Sequence, residues 1–283
     1  MLQATGYKLQ ADMPFDFGHN VFESMRAYRG RVFCLEEHLA RLAESAKSLQ
    51  IKISCSHEEL RQKILKELEA SGLKDAYIRL SIDSQGKISI IIRPPRTYPK
   101  LFFKKGVKVI AVPTSKNSIS SLFPQAKTVN FLNGIMAKIE ARGYFEAILL
   151  NQQGFITEGT VSNIFMVKEK IIITPPLYLG VLPGITRKRV LELAKKLDIE
   201  VKETPFSRHE LYNADEAFLT NTSLEIMPVA YIDGRKIGTG CLGKVTKLLH
   251  KKFRQGIFTH APVPQGGTVR DSAHGLCPRG FTT

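Results

Sequence analysis

The chain reads as an α+β protein of two parts, with a mixed sheet or barrel in each half. Three observations predict this. Some stretches carry apolar residues at helical spacing, and others alternate at strand spacing. Helix-like and strand-like stretches are segregated rather than strictly alternating. A polar, irregular segment over residues 113–124, bounded by Pro113 and Pro124 and carrying Ser115, Ser118, Ser120 and Ser121, reads as a linker between two domains.

The elements follow in order. Residues 35–50 form an amphipathic helix, because Leu35, Leu39, Leu42, Ala46 and Leu49 share one face. Residues 57–70 form a second helix, opened by the capping box of Ser56 and Glu59 and closed by Gly72. The period then changes. Residues 76–82 alternate, and residues 87–93 are a β-branched run. Asp83-Ser84-Gln85-Gly86 joins them as a hairpin. Residues 107–112 make another strand. After the linker, a helix over 131–142 stops at Gly143, and strands over 147–150 and 155–157 flank the turn 151–154. Further strands are expected over 163–167, 171–174 and 217–220, with helices over 186–197 and 242–253. The parts are therefore a small domain (1–112), the linker (113–124), a larger domain (125–258) and a peripheral tail (259–283) with no periodicity and little to bury.

Bulk properties exclude several classes. A chain of 283 residues, 43% hydrophobic, can bury a full core. No apolar run reaches the length of a membrane span. Residues 1–5 lack the charged and apolar regions of a signal peptide. Cys34, Cys55, Cys241 and Cys277 are scattered without a CxxC pair, so neither a metal site nor a disulfide framework is expected, and a reducing cytoplasm fits. The net charge of +15 raises the question of nucleic acid. The lysines are dispersed among glutamates, no block of five like charges occurs, and there is no Trp for stacking. A lysine-rich surface that also attracts anionic ligands is the better reading.

Candidate chemistry falls in both parts of the chain. Lys127 lies at the end of the linker beside Ala126 and Val129; a partly desolvated lysine has a lowered pKa and can act as an amine nucleophile. Glu158 ends a strand just before Gly159, where a carboxylate can pair with a cation. Pro183-Gly184-Ile185-Thr186 opens a helix, whose free N–H groups and the Thr186 hydroxyl suit a phosphate, although Thr186 can also be read as a simple N-cap. Arg41, three residues after His38, can grip the same anion bidentately. Tyr77, Arg79 and Ser81 share one strand face opposite Ile78, Leu80 and Ile82, so Arg79 can organise a carboxylate in a polar cavity. Asn221-Thr222-Ser223 follows a strand as a second anion-binding loop. An amine, an acid and an anion-binding helix start are what a protein needs to hold pyridoxal 5′-phosphate.

The order and wording of these motifs resemble the fold-type IV pyridoxal-phosphate enzymes, the class IV aminotransferases. The resemblance runs from about Phe15 to Phe253. It is carried by Phe17-Gly18-His19-Asn20-Val21-Phe22-Glu23-Ser24-Met25-Arg26, by Leu35-Glu36-Glu37-His38-Leu39-Ala40-Arg41-Leu42 and by Ile156-Thr157-Glu158-Gly159-Thr160-Val161-Ser162-Asn163. Leu182-Pro183-Gly184-Ile185-Thr186-Arg187 and Ala214-Asp215-Glu216-Ala217-Phe218-Leu219-Thr220 complete it. The resemblance implies a small N-terminal α/β domain, a larger barrel-like C-terminal domain, and a homodimer whose partner chain contributes to the substrate pocket. It implies Lys127 as Schiff-base lysine and proton shuttle and Glu158 as partner of the pyridine nitrogen. Arg41, Ile185, Thr186 and Thr222 would hold the phosphate, and Phe22, Arg26, Tyr77, Arg79 and Ser223 would bound the substrate. Tyr77-Ile78-Arg79, Phe22 and Arg26 look like the branched-chain amino acid aminotransferases, which implies transfer from leucine, isoleucine or valine to 2-oxoglutarate. Two features depart from that group. Thr128-Val129-Asn130-Phe131 is one residue shorter than its Gly-Gly-Asn-Tyr and resembles the D-amino-acid aminotransferases and aminodeoxychorismate lyases. Phe17 replaces its usual tyrosine.

Overall fold

A computed structural model describes residues 18–120 and 122–259. Phe17, Ser121, Cys277 and residues 260–283 of the expected tail lie outside the described residues.

The first unit contains β1 (Asn20–Tyr28), β2 (Arg31–Val32), α1 (Leu35–Ser48), α2 (His57–Ala70), β3 (Ala76–Asp83) and β4 (Ile88–Arg93). Its strands form an antiparallel sheet in the order β2-β1-β3-β4. The expected hairpin is present: Asp83 Oδ1 accepts the backbone N–H groups of Gln85 and Lys87, both at 2.9 Å, which closes the turn between β3 and β4. The capping box of Ser56 and Glu59 opens α2 as expected. Strand alternation gives the sheet two faces. Val21, Met25, Ala27, Ile78, Leu80 and Ile82 are buried with Leu39, Leu42 and Ala46 of α1 and Leu60, Ile64 and Leu68 of α2. Each such Leu or Ile contributes about 1.5–3 kcal/mol by leaving water. Truncating the fully buried Leu42 to Ala would cost roughly 2–5 kcal/mol. The other face carries Phe22, Ser24 and Arg26 of β1, which sit opposite Ser81, Arg79 and Tyr77 of β3.

The second unit contains α3 (Lys100–Lys105), β5 (Val107–Ala111), α4 (Leu132–Glu140), β6 (Glu146–Leu150), β7 (Ile156–Gly159), β8 (Asn163–Lys168) and β9 (Ile171–Thr174). It continues with α5 (Ile185–Lys196), β10 (Val201–Glu203), α6 (Arg208–Tyr212), β11 (Glu216–Asn221), β12 (Glu225–Ile232), β13 (Arg235–Lys236) and α7 (Lys244–Thr259). Strands β8-β11-β12-β5-β6-β7 pair in succession, and β7 pairs back onto β8, so the sheet closes into a barrel. The closing pair is Glu158 with Asn163. Strands β9, β10 and β13 extend the sheet beyond the ring. The barrel is packed by Val109, Ile148, Ile156, Ile164, Leu219 and Met227, among others.

Three expectations need correction. Strand β5 does not belong to the first unit: it pairs in parallel with both β12 and β6, so the change of sheet falls between Arg93 and Val107 and not at residues 113–124. Its partners lie far along the chain, which local periodicity cannot report. The first half is an open antiparallel sheet, and only the second half closes as a barrel. The last helix runs to Thr259, six residues past its expected end and one residue into the expected tail. Strands β1 and β12 were not anticipated from the pattern. Glu23 and Arg26 interrupt the apolar run of β1, and Glu225 and Pro228 that of β12; both are paired on each side by tertiary partners.

Candidate active site

The segment after the linker returns to the first sheet and holds Lys127 from both sides. The Phe22 N–H donates to the Lys127 carbonyl at 3.0 Å, and the Val129 N–H donates to the Asn20 carbonyl at 3.2 Å. Val21 and Thr128 form an antiparallel bridge between these bonds. The Lys127 N–H donates to Ser45 Oγ of α1 at 3.0 Å. With its backbone fixed, Lys127 places Nζ over the Phe22 ring, 4.7 Å from the centroid. The Arg79 guanidinium lies over the same ring at 4.1 Å.

Lys127 is half-buried, but the protein packed around its ammonium governs its titration. Burial lowers its pKa and Arg41 lowers it further, while Glu23 and Glu158 oppose them; Arg79 adds a last downward push. The result is about 8 against an ordinary 10.5. The charges that act on this amine are thus Arg41, Glu23, Glu158 and Arg79, which come from α1, β1, β7 and β3.

Arg41 is buried rather than on a solvated face. Its Nε and Nη2 donate to the two oxygens of Glu23, both at 2.7 Å, and its Nη1 donates to the Pro183 carbonyl at 2.8 Å. His38 Nδ1 donates to Glu23 at 2.7 Å. Burial alone would raise the Glu23 pKa, but the Arg41 charge and the bonds from His38 and Arg41 outweigh it and hold the carboxyl at about 2. Burial lowers the His38 pKa, so a neutral imidazole fills this role. His38, Arg41 and Ser45 follow helical spacing on the buried side of α1. One helix stripe therefore sets Glu23, points Arg41 at the start of α5 and anchors Lys127.

The start of α5 is uncapped by any side chain. Gly184 is the N-cap, and Ile185 and Thr186 occupy the first turn, both buried. Thr186 is therefore not an N-cap, and the first-turn N–H groups face outward beside Arg41. A side chain at Gly184 would overlap Asn163 Oδ1. A cavity of about 380 Å³ is lined by Arg41, Ser45, Ala126 and Pro183.

Glu158 is buried inside β7 and is not a solvated turn acid. Its Oε2 accepts from Asn163 Nδ2 and from the Leu182 N–H, both at 3.1 Å, and its Oε1 is bonded by Lys116 Nζ. Asn163 Nδ2 also donates to the Leu182 carbonyl at 3.0 Å. The acid is thus tied to the loop that leads into α5.

The remaining expected residues divide into groups. Tyr77 bonds Ser24 Oγ through its hydroxyl at 2.9 Å and lies on the same sheet face as Phe22 and Arg79. Thr222 and Ser223 form the turn between β11 and β12, but Asn221 Oδ1 takes the N–H groups of Ser223 (2.8 Å) and Leu224 (2.7 Å). Arg26 lies on the Tyr77 face too and reaches the barrel. It donates to the Ser223 carbonyl at 3.4 Å and pairs at 3.7 Å with Glu225, which also accepts from the Tyr28 hydroxyl at 3.0 Å. Arg26 therefore links β1 to the barrel. Glu23, His38, Ser45, Asn163 and Lys116 received no role from sequence. Of these, His38 and Ser45 share the buried stripe of α1, which their spacing from Arg41 could have revealed.

Comparison with known proteins decides the family. Residues 20–232 match the family described as amino-transferase class IV. The chain belongs to the class IV aminotransferases. It is 43% identical over 251 residues to a Methanocaldococcus jannaschii protein provisionally named a branched-chain-amino-acid aminotransferase, covering 84% of this chain and 87% of that one. The T.th. branched-chain amino acid aminotransferase, solved with pyridoxamine 5′-phosphate, superimposes with a TM-score of 0.82 at 30% identity, over 87% of this chain and 88% of that one. The Thermoproteus uzoniensis branched-chain aminotransferase, solved with norvaline, gives a TM-score of 0.79 at 36% identity, over 85% and 86%. The barrel of this class IV aminotransferase and its α+β organisation agree with the expected fold.

Proposed function

We propose that this aminotransferase uses pyridoxal 5′-phosphate to move an amino group from an L-branched-chain amino acid to 2-oxoglutarate. One observation carries the reading: an amine held at about 8 by its surroundings, acted on at once by Arg41 beside an uncapped helix start and by the buried Glu158. The donor set fits the cofactor. The first-turn N–H groups of Ile185 and Thr186, Arg41 and the Thr222 turn would hold a phosphate. Glu158 would hold a protonated ring nitrogen, and Lys127 would take the aldehyde. When bound, the cofactor accepts the amino group and withdraws electrons from the substrate α-carbon.

The chain's own residues supply the rest. Lys127 Nζ is the base for the proton on the substrate α-carbon, and a value near 8 leaves enough neutral amine at physiological pH. Arg41 is kept in place by Glu23, so the anion grip is preorganised. Phe22 and Tyr77 give the substrate side an apolar wall. Arg79 makes no ion pair among the described residues, so its guanidinium is available for a carboxylate of the acceptor. Arg26, through Glu225, would act by keeping the Ser223 turn against β1.

We also read the enzyme as a homodimer. Helix α4 exposes Leu132, Ile135, Met136 and Ile139, a row that a second copy would cover. Cys34, Cys55 and Cys241 are free thiols, which supports a cytoplasmic location. The test is the absorbance spectrum of the purified protein before and after L-leucine, without acceptor. A bound-cofactor band that converts to the pyridoxamine form is expected. A band that ignores L-leucine would refute the donor assignment, and substantial turnover by Lys127→Ala would refute the role of Lys127.

A further inference from the structure

We propose that Lys116 is a positioning residue that holds the Glu158 carboxylate until a protonated ring nitrogen takes its place, so that cofactor binding exchanges one cation for another. The inference rests on the reading of Glu158 as the partner of that nitrogen. Lys116 belongs to the segment that leaves β5. Its backbone N–H donates to the Leu150 carbonyl at 2.8 Å, on the strand whose Leu149 pairs with Glu158. That bond sets the stem of Lys116 one strand from the acid, and its Nζ is bonded to Glu158 Oε1. Both side chains are largely buried, at 14% and 7% exposure, so the pair is poorly screened by solvent.

The geometry and charge of the acid favour the exchange. Glu158 Oε2 already accepts two bonds, from Asn163 Nδ2 and from the Leu182 N–H. Both donors are fixed: Asn163 is the barrel-closing partner of Glu158, and Leu182 is tied back to the Asn163 side chain. A further N–H donor would therefore approach Oε1, the oxygen that Lys116 bonds. Two cations against one oxygen repel each other, and with both side chains of the pair largely buried that repulsion is poorly screened. Lys116 is the one built to yield. It has a flexible stem with three rotatable donors, and it lies in a segment without regular structure, next to the partly exposed Asn117 and Ser118. The carboxylate is thus kept paired and aimed before binding. Discrimination for the protonated nitrogen is reduced by the Lys116 bond that must be given up.

The experiment compares pyridoxal phosphate with its 1-deaza analogue, in which a C–H replaces the ring nitrogen. Both are titrated into the full-length protein stripped of cofactor, as wild type, Lys116→Met, Lys116→Gln and Lys116→Arg. The analogue cannot displace Lys116, so wild type binds it with the ion pair intact. The ratio of the two affinities is expected to rise about tenfold in Lys116→Met and Lys116→Gln and to stay near the wild-type value in Lys116→Arg. A merely structural role for Lys116 would weaken both ligands together and leave the ratio unchanged, and that result would overturn the exchange. The two neutral variants guard against one that fails to fold. If wild type binds neither compound, the cofactor reading itself fails; if it binds both and the ratio is constant, only the role of Lys116 fails.

Discussion

Replacing Lys127 by Met should stabilise the cofactor-free protein while abolishing transamination. The amine is held at about 8 in the fold against 10.5 when free. Each unit of pKa corresponds to about 1.36 kcal/mol, so keeping this lysine protonated in the fold costs up to about 3.4 kcal/mol. The residue keeps some contact with solvent, which reduces that figure. Losing the contact with the Phe22 ring removes a further ~0.5–1 kcal/mol of stabilisation. A net gain of about 2 kcal/mol at pH 7 is expected for Lys127→Met. The pH dependence follows from the sign of the shift. A folded-state value below the unfolded one means the fold disfavours the proton. The penalty is complete below about pH 8, fades between 8 and 10.5, and is absent above. Urea unfolding of both proteins at pH 7 and at pH 10.5 measures this. A variant no more stable than wild type at pH 7, or one whose advantage is the same at both values, would refute the account of how Lys127 is tuned.

Three further outcomes are expected. Glu23, held at about 2, stabilises the fold above its ordinary 4.5, and that contribution disappears as the pH falls from 4.5 towards 2. Glu23→Gln should cost about 3–5 kcal/mol at neutral pH by leaving Arg41 without its charge partner, and should flatten the stability curve on the acid side; a curve parallel to wild type would rule this out. Gly184→Ala should weaken pyridoxal phosphate binding about tenfold or more, because the methyl overlaps Asn163 Oδ1 and disturbs the support of Glu158. Wild type should sediment as a dimer and Ile135→Asp, on the exposed face of α4, as a monomer; a variant that stays dimeric would place the interface elsewhere.

Much of this protein was legible in its sequence for physical reasons. The helices α1 and α2 declare themselves because each buries a single stripe of Leu, Ile and Ala. The capping box of Ser56 and Glu59 is a local device that needs nothing beyond its own segment. The hairpin of β3 and β4 is local in the same way. Lys127, Glu158, Arg41 and the turn at Gly184 could be singled out because amine, acid and uncapped helix start are chemically distinctive in that order. Those properties depend only on neighbours in the chain. What the tertiary structure decided depends on residues far apart in sequence. It assigned β5 to the barrel, because β12 and β6 pair with it, and closed the ring at Glu158 and Asn163. It paired Arg26 with Glu225, a contact that no local pattern announces. It also set Arg41 with Glu23 and His38, bonded Lys116 to Glu158, and surrounded Lys127 with the burial and the Arg41 charge that lower its pKa. Sequence alone determined which groups could carry the chemistry; their charge states and partners came from the fold, because desolvation and Coulomb interaction depend on distance in space and not on position along the chain.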